Sequence, residues 1–148
     1  MPPTRFCAVV LAALAVIAPG LSGCSNGTTA TAEQVAEAPV GQPAPGRVGV
    51  AQFAAVITEP GVQIIDVRTA EEFAGGHIQG AVNIPVQQSD FTARVAQLDP
   101  KGTYAVYCRS GNRSKGAVAQ MKSAGITMIY ELAEGTNGWT ADGQPLTR

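Results

Sequence analysis

Hydrophobic residues along this chain follow two patterns, and the two alternate from residue 47 onwards. Short segments that are apolar nearly throughout, or rich in β-branched and aromatic residues, predict strands at 47–50, 62–67, 81–84, 103–107 and 126–132. Segments with apolar residues at helical spacing, or with helix-capping signals, predict helices at 51–58, 69–73, 89–98 and 114–124. Strands that alternate with helices predict an α/β fold, doubly wound, in which a mostly parallel five-stranded sheet carries helices on both faces.

The amino-terminal segment follows a different pattern. Arg5 precedes an apolar run at 6–17, which is shorter than the ~20 residues of a membrane-spanning helix. A charged start, an apolar run and small residues after it are typical of an export signal. Residues 21–24 (LSGC) also resemble the lipobox of bacterial lipoproteins, in which the cysteine becomes the first mature residue and carries a lipid. We therefore expect a signal peptide at 1–23 and a lipid on Cys24 that anchors the protein to a membrane of the cell envelope, outside the cytoplasm. Ordinary secretory cleavage is the alternative.

Composition separates a linker from the folded part of the chain. Residues 24–46 are rich in Ser, Thr, Ala, Gly and Pro, so we expect the lipidated cysteine to be followed by a flexible tether. The folded domain is expected at 47–148, where about 100 residues suffice for one core. The net charge of −1 over 148 residues gives no reason to expect a nucleic-acid partner.

The cysteine count limits the chemistry. Cys7 would leave with the signal peptide and Cys24 would be linked to lipid, so only Cys108 would stay free in the mature chain. No second cysteine could then resolve an oxidised or persulfidated Cys108. Any covalent intermediate on Cys108 must therefore be released by an external acceptor.

Cys108 follows the predicted strand 103–107 and precedes the helix predicted at 114–124. At such a junction the unpaired backbone N–H groups of the helix start point outward and favour an anion. The cations Arg109, Arg113 and Lys115 add positive potential, and such surroundings lower the pKa of a thiol below its usual value of about 8.5. These features favour a nucleophilic thiolate. The alternative is that Cys108 is only a small buried hydrophobic residue.

The spacing of the loop indicates which anion it binds. The arginine lies five positions after Cys108, a C-x4-R arrangement, whereas tyrosine phosphatases use a loop one residue longer. The sequence CRSGNR at 108–113 resembles the C-R-x-G-x-R loop of single-domain rhodaneses, the thiosulfate sulfurtransferases. Residues 66–85 carry a second similarity to that family, DxR…GHIxGAxNIP, and 135–139 resemble its closing glycine-and-tryptophan segment, with Glu134 where a glycine is common.

The resemblance implies a persulfide mechanism for sulfane sulfur transfer. Cys108 would take sulfur from thiosulfate or a similar small anionic donor and pass it to a thiol, cyanide or a protein acceptor. It implies that Arg109 and Arg113 bind the donor and that backbone N–H groups of the loop stabilise the persulfide. The implied substrate-binding residues are Arg109, Ser110, Gly111, Asn112, Arg113 and Ser114. No cofactor and no metal are expected, since one histidine and one free thiol cannot form a zinc site.

Other residues have structural interpretations. His77 is expected to hydrogen-bond the backbone, with a catalytic role as the alternative. Asp66 and Arg68 are expected to join a buried ion pair with Glu71 or Glu72, with substrate contact by Arg68 as the alternative. Aromatic side chains on or beside strands are expected in the core; these are Tyr104, Tyr107 and Trp139.

Two rival functions stay open at this point. The domain could be a non-catalytic binding or sulfur-sensing module at the membrane. It could also be an anion hydrolase or arsenate reductase of related fold, although the C-x4-R loop is short for the first and resolving cysteines are missing for the second.

Overall fold

The computed structural model describes residues 43–148; the predicted signal peptide, Cys24 and nearly all of the tether lie outside the described residues. The strands are β1 Gly46–Val48, β2 Val62–Asp66, β3 Val82–Asn83, β4 Thr103–Tyr107 and β5 Ile129–Leu132. The helices are α1 Val50–Val56, α2 Ala70–Gly75, α3 Phe91–Val95, α4 Asn112–Ser123 and α5 Gly135–Ala141. None of the helices in this part of the chain is both long enough and apolar enough to cross a membrane.

The five strands form one sheet in the order β1-β5-β4-β2-β3. Every strand pair is parallel, so the predicted α/β fold is confirmed and the predicted mostly parallel sheet is parallel throughout. Because β4 lies in the middle, the loop that follows it is flanked by the carboxyl ends of β5 and β2. In parallel α/β sheets this edge is where ligands bind.

Helices cover both faces of the sheet, as predicted. Successive side chains of β4 point to opposite faces, so Tyr104 and Val106 pack in the core beneath α3 and α4. Ala105 and Tyr107 pack in the second core, beneath α1 and α5. All four are fully buried, as expected for a central strand with helices on each side.

The last predicted strand begins three residues later than expected. Ile126 is buried, but its N–H donates to Met121 O and that of Gly125 donates to Lys122 O. Together with the left-handed Gly125 (φ 89°), these bonds form a Schellman cap that ends α4. Ile126 therefore packs as part of the helix cap, which is why its apolar character was mistaken for the start of a strand.

Helix α5 is absent from the predicted helices. Its sequence, GTNGWTA, has low intrinsic helix propensity because of its glycines, threonines and asparagine. Tertiary contacts compensate: Trp139 packs edge-on against Phe53, with ring centroids 6.1 Å apart, and its Nε1 donates to Pro145 O at 2.9 Å. The expected burial of Trp139, Tyr104 and Tyr107 is confirmed.

Candidate active site

Cys108 lies immediately after β4, and its side chain is fully buried. Two backbone bonds fix this part of the loop to the start of α5. The N–H of Thr136 donates to Cys108 O at 2.9 Å, and that of Asn137 donates to Arg109 O at 3.0 Å. The helix that the sequence failed to predict thus holds the backbone at Cys108 and at the residue after it.

Gly111 provides the turn that closes the loop onto α4. Its φ of 74° is in the left-handed region, where a side chain is strained. A Cβ at this position would also collide with the carbonyl oxygen of Ala133. Both the dihedral angle and the available space therefore require glycine at this position.

The surroundings of the sulfur favour the thiolate. Burial opposes ionisation of Cys108, but the hydrogen bond with the Ser114 side chain and those from the backbone N–H groups of Ser114, Ser110 and Arg113 outweigh it. The net effect lowers the pKa of the thiol below its ordinary value. Converging backbone N–H groups of this kind form a cradle for an anion.

Arg113 is engaged by a carboxylate. Its Nη1 and Nη2 donate to Glu72 Oε2 and Oε1 at 2.6 Å and 2.8 Å, a bidentate pair that links α4 to α2. The hydrogen bond from Arg113 is the main reason that the pKa of Glu72 falls to about 2. Glu72 also completes a capping box with Thr69 at the start of α2, within the helix predicted at 69–73.

Arg109 is exposed and lines a polar cleft of about 330 Å³ beside the loop. The cleft is shared with Arg68, Glu72 and Asn137, among others. Within residues 43–148, no carboxylate forms an ion pair with Arg109. Its guanidinium is therefore available to an anion that enters this cleft.

The remaining predicted site residues divide by exposure. Ser114 and Gly111 are buried, and Ser114 Oγ lies 3.5 Å from Cys108 Sγ. The side chains of Ser110 and Asn112 are exposed, so Ser110 meets the sulfur through its backbone N–H and not its hydroxyl. The structure thus brings together the thiol, the Ser114 hydroxyl and the loop backbone.

The prediction that Asp66 and Arg68 pair with Glu71 or Glu72 is wrong. Arg68 Nη2 donates to Asp66 Oδ2 at 2.6 Å, and its Nε contacts both oxygens of the same carboxylate. Two residues apart at the end of β2, they satisfy one another in a buried site where an unpaired charge would be costly. Glu72 is thereby left to pair with Arg113.

His77 has the structural contacts that were expected of it. Its Nδ1 lies 3.1 Å from Phe73 O, and its ring stacks on that of Phe73 with centroids 3.8 Å apart. Its backbone exchanges two hydrogen bonds with Thr147.

Two functional neighbours were not identified from the sequence. Glu131 is buried in β5, where its Oε1 accepts a hydrogen bond from Ser114 Oγ at 2.7 Å. The same oxygen accepts a hydrogen bond from Arg47 Nη1 at 2.7 Å. Arg47 also donates to Gly111 O and to Ala133 O, so it ties the loop to β5. The signal was present as a single carboxylate inside an otherwise apolar strand, IYEL.

This architecture defines a class: a parallel α/β domain with a thiol cradled by backbone N–H groups at the carboxyl end of its central strand. Residues 50–142 match the Rhodanese-like domain family. The chain therefore belongs to that family, as the loop and the second motif had indicated.

Individual relatives agree with the assignment. The chain is 36% identical over 87 residues to an uncharacterized protein of Synechocystis sp., with coverage of 59% of this chain and 48% of the relative. It is 33% identical over 95 residues to thiosulfate sulfurtransferase 16, chloroplastic, of Arabidopsis thaliana, with coverage of 57% of this chain and 79% of the relative. The crystal structure of a rhodanese-related protein from Thermoplasma volcanium superposes with a TM-score of 0.61 at 29% identity, with coverage of 68% of this chain and 96% of that one. The chain thus spans about half the length of the first of these relatives.

Proposed function

We propose that this protein is a thiosulfate sulfurtransferase that works through a persulfide on Cys108. The observation that carries the proposal is the cradle of backbone N–H groups from Ser110, Arg113 and Ser114 around a thiol whose pKa is lowered. The same cradle that stabilises a thiolate stabilises the terminal sulfur of a persulfide, which is also an anion at neutral pH.

The reaction is a double displacement. The Cys108 thiolate attacks the outer sulfur of thiosulfate, a new S–S bond forms, and the donor's S–S bond breaks so that sulfite leaves with the electron pair. An acceptor thiolate or cyanide then attacks the outer sulfur of the persulfide, and the Cys108 thiolate leaves with the electron pair of that bond. Cyanide leaves as thiocyanate and a thiol leaves as its persulfide, so the enzyme returns to its starting state.

The cations divide the work of binding the donor. Arg109 faces the polar cleft and is proposed to contact the negatively charged sulfonate end of thiosulfate. Arg113 is proposed to contribute its positive potential to the sulfur and the donor while Glu72 fixes its position. The relatives named as thiosulfate sulfurtransferases support this choice of donor.

Steady-state cyanolysis tests the proposal. The full chain, purified in detergent, is incubated with thiosulfate and cyanide, and thiocyanate is measured as its coloured iron complex. Catalytic release of thiocyanate is expected from the native protein, with Cys108→Ala reduced to the uncatalysed rate. Native protein no faster than Cys108→Ala would contradict the proposal.

One observation favours a second candidate, a binding or sulfur-sensing module without significant turnover. The Cys108 side chain has no exposed surface, so the loop must yield before a donor can reach the sulfur. A module of this kind would bind or hold sulfur without passing it on. Formation of a persulfide that neither cyanide nor small thiols can discharge would favour this second candidate.

The location of the protein is also a proposal. The pattern at 1–23 and the lipobox-like motif that ends at Cys24 support export and attachment of a lipid, which would place the domain at a membrane of the cell envelope, outside the cytoplasm. Expression in a bacterial host is expected to yield a mature chain that begins at Cys24 and partitions into detergent. Partitioning of a Cys24→Ala variant identical to that of the native chain would contradict lipid anchoring.

A further inference from the structure

A hydrogen-bonded polar network leads from Arg47 through two buried residues, Glu131 and Ser114, to the thiol. Ser114 Oγ lies 3.5 Å from Cys108 Sγ and 2.7 Å from Glu131 Oε1. Arg47 Nη1 lies 2.7 Å from the same carboxylate oxygen. Ser114 and Glu131 are 0% and 6% exposed, so water cannot easily replace either partner.

The Ser114 hydroxyl has one proton, and both Glu131 and an ionised Cys108 can accept a hydrogen bond from it. A hydroxyl donates one hydrogen bond and accepts others through its lone pairs. The short distance to the carboxylate indicates that the proton points at Glu131, because bonds to ionised acceptors are short and strong. The lone pairs of Ser114 then face the sulfur, an arrangement that suits a thiol S–H donor and does not suit a thiolate.

From this competition we propose that Glu131 is a positioning residue that sets the ionisation of Cys108 by holding the Ser114 proton away from the sulfur. When Cys108 ionises, the Ser114 hydroxyl must turn to the thiolate and release Glu131. Glu131 thus restrains formation of the thiolate that the loop backbone favours. This inference goes beyond the sulfur transfer proposed above, because it concerns the ionisation of the thiol and not its reaction with a donor.

Because Arg47 pairs with Glu131, the carboxylate acts on Cys108 mainly through its hydrogen bond with Ser114 and less through its charge. By pairing with the carboxylate, it offsets the negative charge that would otherwise act on the sulfur through space. The other charged groups near the thiol include Arg109 and Lys115, which are exposed and form no ion pair within residues 43–148, and two pairs on neighbouring elements. The two pairs are Arg113 of α4 with Glu72 of α2, and Arg68 with Asp66 of β2.

The substitution Glu131→Gln tests this inference with an isosteric amide. Its amide oxygen can take the place of Oε1 and accept from both Ser114 and Arg47, but a neutral oxygen accepts more weakly than a carboxylate, so the hydroxyl proton is freer to turn to the sulfur. The apparent pKa of Cys108 is therefore expected to fall by about one unit. Arg47→Gln is expected to raise it, because an unpaired Glu131 holds the proton more strongly and adds its charge. Arg47 is 37% exposed, so this variant remains informative if the buried substitution prevents folding.

The readout is the pH dependence of alkylation of the full chain by iodoacetamide, quantified on the tryptic peptide 102–109, which contains Cys108 and no other cysteine. In a Ser114→Ala background, Glu131→Gln is expected to change the apparent pKa by less than about 0.3 units, since the coupling hydroxyl is gone. A pKa that is unchanged or raised in Glu131→Gln, or a fall of equal size without Ser114, would overturn the inference. Alkylation does not require a sulfur donor, so this result is independent of whether the protein transfers sulfur.

Discussion

The ion pair between Glu72 and Arg113 gives a stability prediction with a defined pH dependence. Ionised Glu72 is stabilised in the folded protein, where its pKa falls from 4.5 to about 2. A shift of this size corresponds to about 3 kcal/mol if it is fully expressed as stability. The two side chains are 28% and 25% exposed, so solvent screening reduces the expected contribution to about 1–2 kcal/mol.

Glu72→Gln isolates this contribution because glutamine preserves the capping box with Thr69. The variant is expected to lose about 1–2 kcal/mol of unfolding free energy at pH 7, or roughly 4–16 °C in Tm for a domain of about 100 residues. Since the folded pKa is the lower one, the contribution is complete above the unfolded value of 4.5 and is lost as pH falls towards 2. The difference between native protein and variant should therefore shrink over that range.

Urea unfolding of the full chain, followed by circular dichroism from pH 7 down to pH 3, measures this difference. Glu71→Gln is the matched control, because Glu71 is an exposed carboxylate in the same helical turn and forms no ion pair within residues 43–148. Subtracting its effect removes the influence of charge on the helix start. A loss that is equal in the two variants, or one that does not change between pH 7 and pH 3, would refute the reasoning.

Three further predictions concern the loop itself. Gly111→Ala should destabilise the protein by about 1–3 kcal/mol and raise the apparent pKa of Cys108, because the strained dihedral and the collision with Ala133 O displace the cradle. Thermal melts measure the stability and alkylation rates measure the pKa. A variant with native stability and native pKa would contradict the geometry. Arg109→Met should raise KM for thiosulfate by about tenfold and leave stability within about 0.5 kcal/mol, whereas Lys115→Met, an exposed control on α4, should change neither. The rate of Cys108 alkylation should reach half its maximum at a lower pH than that of a free cysteine in the same buffer, and a midpoint at or above that of the free thiol would contradict the lowered pKa.

Much of the fold could be predicted from local patterns. The strand 103–107 was placed correctly because it combines an apolar run with turn residues on its amino side, and α2 was placed by its capping box. The parallel sheet followed from the alternation of strands and helices. The position of Cys108 between β4 and α4 then followed from the boundaries of those two elements.

The rest depends on contacts between residues far apart in the chain. Helix α5 is held by Trp139 against Phe53, and no local propensity indicates it. Pairing of Arg113 with Glu72 required knowledge that Asp66 already satisfies Arg68. The sequence shows which side chains are charged, but only the tertiary structure decides which partner each of them contacts.

The hydrogen-bonded network of Arg47, Glu131 and Ser114 also could not be predicted from local sequence. A carboxylate in the apolar strand β5 indicated that a buried partner exists, since an unpaired buried charge is costly. Its partners lie 84 and 17 residues away in sequence. Their convergence behind Cys108 is a consequence of strand order, with β5 between β1 and β4.

Intact-mass spectrometry of the full chain after incubation with thiosulfate tests the central claim most directly. The predicted result is a gain of one sulfur atom, about 32 Da, that is located on Cys108 and absent from Cys108→Ala. Addition of cyanide should remove this mass and release thiocyanate in equal amount. A folded protein whose Cys108 is alkylated by iodoacetamide, but which gains no sulfur from thiosulfate or other sulfane donors, would contradict the account.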